Sequence, residues 1–194
     1  MKIRSAFSIF LPSIILLLTS YFLDKKYLSS SPIYLMPLFF GVVLGFFNYK
    51  FYKHKIYFNQ AIQVVLISVI ISFLCFVFAA FSYPLLANVI DFLFEKFSIK
   101  LGKESIARLS LFFAVDLVAP LSVLLTFKGV FAYPKGIITK ILIAGTLIVF
   151  ALLGYLSFFI NNESSLLWMP LMAFSIQLIL YQKELKALFK PNNR

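Results

Sequence analysis

The chain has 194 residues, 62% of them hydrophobic and 13% charged, with a formal net charge of +11. Soluble domains are roughly 45–50% apolar and about 25% charged, so an excess of this size cannot be enclosed by a 22.2 kDa protein and must face lipid. Long unbroken apolar runs, where an outer-membrane barrel needs alternation, leave an all-α class: a polytopic transmembrane helical bundle forming one domain over residues 1–194.

Crossing ~30 Å of hydrocarbon takes about 20 apolar residues, and six segments approach or exceed that length. The first, 7–23, follows Lys2 and Arg4, as the core of a signal peptide would. It ends in Leu23-Asp24-Lys25-Lys26 with no small-x-small cleavage pattern, so it is expected to be a retained anchor. The second, 33–49, carries Gly41 and Gly45, a small-xxx-small pair suited to close helix packing. The third is 60–83, with Gln63, Ser72 and Cys75.

The external stretch 84–104 is amphipathic. Leu85, Leu86, Val89, Ile90, Leu93 and Phe97 recur at helical spacing opposite Asn88, Asp91, Glu95 and Ser98. It is expected to lie as a separate helix in the outer interface, with Pro84 in its first turn. The alternative is a rigid outward continuation of the third span. The fourth span, 106–127, holds Asp116, the fifth, 137–160, holds Thr146, and the sixth, 165–181, holds Gln177. Prolines 12, 37, 120 and 170 each remove a helical hydrogen bond that neighbouring helices can repair. Because the first, second and last segments are short, four or five crossings remain open.

Charge orients the chain. With six spans and an inside N-terminus, twelve of the 18 Lys and Arg residues lie inside and five of the seven acids outside. Lys and Arg resist translocation, so N- and C-termini in the cytoplasm of a bacterial inner membrane are expected.

Asp116 carries the most chemical information. Mid-span, an ionised carboxylate costs about 2.5–3.5 kcal/mol by insertion scales. It reads either as a proton- or ion-handling group or as a protonated acid hydrogen-bonded to a neighbouring helix, with Ser72 and Thr146 as partners of comparable depth. Gln63 and Gln177 are placed to bond across helices. Lys50, Lys53 and Lys55 on one inner loop, and Lys183, Lys186 and Lys190 on the tail, form a basic inner face. That face suits anionic lipid headgroups or an acidic cytosolic partner; a short membrane-tethered loop does not suit direct nucleic-acid binding.

One histidine, His54, and one cysteine, Cys75, cannot build the usual zinc sites or a Ser-His or Cys-His catalytic pair. No phosphate-binding Gly-rich loop, Gly-x-Ser-x-Gly or His-Glu-x-x-His sequence is present. A non-enzymatic protein without cofactor or metal is expected.

In size, multispan body, basic inner loop Lys50–Lys55 and short basic tail Lys183–Arg194, the chain resembles the membrane subunit family, KwaA, of the Kiwa anti-phage defence system. That family's plan has four spans against the six read here. The resemblance implies an oligomeric inner-membrane sensor that recruits and restrains a cytosolic partner of the KwaB kind, and it transfers no site residues. The function expected is an oligomeric membrane sensor or anchor coupled to a cytosolic partner. The alternative is a small ion channel or proton-coupled transporter using Asp116.

Overall fold

The computed structural model describes residues 2–27, 35–57, 59–99, 102–160 and 165–189, and this chain is helical with no strand among the described residues. Helix α1 spans Lys2–Tyr27. Helix α2 spans Leu35–Asn48 and closes in a 3-10 turn, Tyr49–Phe51. Helices α3 (Gln60–Lys96), α4 (Lys103–Leu111), α5 (Ala119–Val130), α6 (Ile137–Ile160), α7 (Ser165–Leu180) and α8 (Gln182–Phe189) follow. A π-helical segment, Phe112–Val118, joins α4 to α5 without a break. The expected start of the second span at residue 33, the outer acid Glu163, and Lys190 with the rest of the tail lie outside the described residues.

Among the described residues, three helices are long and apolar enough to cross a membrane: Gln60–Lys96, Lys103–Val130 and Ile137–Leu156. The apolar stretches Phe7–Phe22, Leu35–Phe51 and Leu167–Leu180 are shorter. Each helix packs on the next in chain order, and α7 returns along α1, so the bundle closes on itself. The register of that closing pair is fixed by Phe10 and Phe174, whose rings stack at 5.5 Å. Leu16, Leu44, Leu124, Phe127, Phe150, Met172 and Ile176 fill the interior.

The outside is as apolar as the inside. Phe7, Phe10, Ile14, Leu18 and Phe22 of α1, Ile62, Leu66, Ile70, Phe78 and Phe81 of α3, and Ile141, Ile148 and Leu152 of α6 are all exposed. Soluble monomers rarely expose contiguous apolar patches beyond about 300–600 Å². A bundle with apolar residues on both surfaces of its helices is built for lipid: this is a membrane protein.

The expectation of a separate interfacial helix over 84–104 is corrected. Helix α3 runs unbroken through Pro84 for 37 residues, about 55 Å at 1.5 Å per residue. The former external segment is therefore the far half of α3, a turn at residues 97–98, and the start of α4. Pro84 removes one main-chain bond, yet the helix continues past it, with Ile90 buried beyond. Asn59 caps the other end of α3, its side-chain oxygen accepting from the amides of Ala61 at 3.1 Å and Ile62 at 3.5 Å.

Candidate functional sites: a basic face and an intramembrane carboxylate

The basic face is assembled by docking two connections that are far apart in sequence. The α2–α3 connection pairs with the α5–α6 connection through Lys53 N–H to the Val130 carbonyl at 3.1 Å and Ala132 N–H to the Phe51 carbonyl at 2.7 Å. Lys53 Nζ donates to the Lys128 carbonyl, and His54 Nε2 lies 2.9 Å from the Gly129 carbonyl oxygen. These carbonyls end α5, where the helix has exhausted its own donors and attracts cations. The α7–α8 corner joins the same end. Tyr181 packs edge-on to Phe51 at 4.9 Å, and Lys50 Nζ sits 4.8 Å from the Tyr181 ring centroid. Lys183 and Lys186, on α8 just beyond Tyr181, are exposed, as are Lys50, Lys53, Lys55, Lys128, Lys135 and Lys140. Glu184 is the one acid described at this end, and no ion pair forms there among the described residues.

Gln63 organises this end within the connection itself, where a bond between helices was expected. Its Nε2 donates to Tyr52 Oη at 3.1 Å and to the Lys55 carbonyl at 3.0 Å, and its Oε1 accepts from the Tyr57 amide at 2.9 Å. Gln177 departs from expectation differently. It is fully buried, and neither amide atom has a hydrogen-bond partner among the described residues. Asn48 shares both properties. Each lies about one turn before the Phe51–Tyr181 ring pair, on helices that run the same way. Tyr133, on the α5–α6 connection, has a buried hydroxyl with no partner among the described residues, and burial holds its phenol above the ordinary range.

Gly41 and Gly45 lie where α2 meets α3. A Cβ on Gly41 would stand 2.5 Å from Val69 Cα, and one on Gly45 2.6 Å from Val65 Cα. Only hydrogen fits against backbone at those distances, so the pair seats two helices of one chain.

Asp116 lies in the π-helical segment and meets α6 at Gly154, its Oδ2 occupying the space a Cβ would fill. Phe112 covers the same glycine. This contact is less than two turns from the end of α6, so the carboxyl sits towards one side of the bundle, away from the basic end. The expected partners do not reach it. Thr146 lies more than two turns back along α6 and donates to the Leu142 carbonyl at 2.7 Å. Ser72 donates to the Ser68 carbonyl at 2.7 Å. The crossing of α3 over α5, fixed by Cys75 Sγ 3.1 Å from Thr126 Oγ1, carries Ser72 still deeper. Equal positions along two spans do not bring these groups together. Arg108 pairs with Glu104 at 2.5 Å on the exposed surface of α4. None of the described residues hydrogen-bonds the Asp116 carboxyl.

The backbone at Asp116 has a specific repair. Ala119 N–H bonds the Ala114 carbonyl, five residues back. The next amide in that register belongs to position 120, a proline without a donor, so the Val115 carbonyl is left over. Trp168 of α7 fills it, Nε1 donating at 3.0 Å. Trp168 is held by Phe150 at 5.4 Å and Phe40 at 6.3 Å. Sequence reading missed Trp168, Gly154 and the π-turn. The available signal was Pro120, four residues past a carboxylate in an apolar span.

Among the described residues no group of three His, Cys, Asp or Glu side chains is placed to hold a metal. No family model matches the chain, and neither a curated protein nor a solved structure matches it.

Proposed function

We propose that the chain is a six-span, non-enzymatic protein of a bacterial inner membrane that oligomerises and holds an acidic cytosolic protein on its basic face. The short apolar stretches of α1, α2 and α7 complete the crossings, and both termini lie on the basic side. The observation that carries this reading is the gathering of eight exposed lysines from three chain segments onto one end, opposed among the described residues by Glu184 alone and without an ion pair. Topology alone asks for positive residues on the inner side. It does not ask that two connections be bonded together so that the lysines share one rigid surface. A fixed positive surface steers and orients an oppositely charged protein. In the Kiwa reading, that protein is KwaB-like and the membrane subunit restrains it.

The test is charge reversal. Purification of the tagged protein from native membranes identifies what accompanies it. Lys50→Glu with Lys53→Glu and Lys55→Glu should release that partner while insertion and oligomer size stay unchanged. Acid-to-lysine changes on the partner should restore binding. A partner retained in full by the reversed protein refutes the proposal.

A further inference from the structure

We propose that Asp116, with Gly154 and Trp168, forms a proton-binding site inside the membrane, separate from the basic face, and that Trp168 reports its state. The carboxyl sits against a glycine on α6 that leaves room for it, in a helix segment wound in π register, and without a hydrogen-bond donor among the described residues. π-Turns interrupt helices mostly as single turns and often at functional sites. This one is held open by a side chain from another helix, Trp168, bonded to the carbonyl immediately before Asp116. Trp168 and Pro120 together keep the distortion in place. A kink made by Pro120 alone would need no indole from α7.

The ligand is a proton because the described surroundings offer a metal or alkali cation no cage. A metal cation or sodium requires several oxygen ligands. The hydroxyls of Ser72, Ser110, Ser122, Thr126 and Thr146 are each turned onto a carbonyl of their own helix. A single carboxylate needs no further ligand to take up H⁺: the proton bonds one carboxyl oxygen and the group becomes neutral, with no other bond made or broken.

Among the described residues, the charged groups around it are few. Helix α6 faces it with Gly154, and its Lys140 is at the opposite end. Helix α7 contributes Trp168 and no charge. Helix α3 has no charged residue before Asp91, and Asp91, Glu95 and Lys96 are exposed at its far end. On its own helix, Arg108 is paired with Glu104. Among the described residues, protonation of Asp116 is therefore the main charge change near Trp168.

Trp168 is the sole tryptophan of the chain, so intrinsic indole emission comes from this site alone. The full-length protein in lipid nanodiscs should show a single-site change in that emission as pH is lowered. An infrared band of a protonated carboxyl should grow over the same interval in the unmutated protein. Asp116→Asn should abolish both, Asp116→Glu should keep a displaced transition, and sodium or potassium should not move the midpoint. Emission independent of pH, a transition surviving in Asp116→Asn, a midpoint that follows sodium, or no carboxyl band in the unmutated protein would each overturn the assignment.

Discussion

Two residues outside the apolar spans show how local chemistry sets the cost of this fold. Ser98, just past α3, has a φ of +57°, the left-handed region that costs non-glycine residues roughly 1–2 kcal/mol. It stands where a helix end usually takes glycine. Ser98→Gly should therefore stabilise the protein by up to about 1 kcal/mol, read as a higher denaturation midpoint in detergent. Tyr133 carries a burial cost at its hydroxyl, which has no partner among the described residues. Tyr133→Phe should leave stability unchanged or raise it by about 1 kcal/mol. Its pH dependence has a definite sign. Burial raises the folded phenol above its unfolded value near 10, so the folded state binds the proton more tightly. Stability from this group is fully present below about pH 10 and falls as pH rises beyond it. Tyr133→Phe should remove that part of the alkaline loss, as seen by comparing denaturation midpoints across alkaline pH.

Among the elements, the α2–α3 pair and the α4–α5 unit differ in what their sequence revealed. Glycines four apart stand on one face of a helix, and the close approach at Gly41 and Gly45 follows from that spacing. Gly41→Ala or Gly45→Ala must move backbone against backbone and should cost about 1–3 kcal/mol. Gly145 in α6 has open space around its Cβ position, so Gly145→Ala should be neutral or stabilising by up to about 1 kcal/mol. Thermal unfolding of the three variants separates the contact from the loss of glycine itself. The π-turn was not legible in this way. Its register depends on an indole 53 residues away in sequence, and periodicity within one helix carries no trace of such a partner. Pro84 misled for the converse reason. A proline reads as a boundary from local sequence, whereas α3 continues through Pro84 to a buried Ile90.

For the whole molecule, the helical class was legible because the apolar runs are long and unbroken, a property of composition that packing does not alter. The positions of the polar groups were less so: Ser72 and Thr146 were assigned their depth by counting along spans, and the way the helices dock on one another does not keep that count. Charge is intermediate. The sequence distributes lysine unevenly, but only the bonded connections gather Lys50, Lys53 and Lys55 against Lys128. That gathering makes topology testable at two points. Lys55 lies on the basic connection, and Lys103 begins α4 at the far end of α3. Between them lie the 37 residues of α3, longer than the roughly 20 that hydrocarbon requires. In a background where the sole thiol is removed by Cys75→Ser, Lys103→Cys should react with a membrane-impermeant maleimide on intact spheroplasts. Lys55→Cys should react only after lysis. The reverse pattern would put the basic face outside and remove its cytosolic partner. Reaction of both in intact spheroplasts would mean that α3 does not cross, which its exposed Ile62, Leu66, Ile70 and Phe78 make untenable unless another surface covers them.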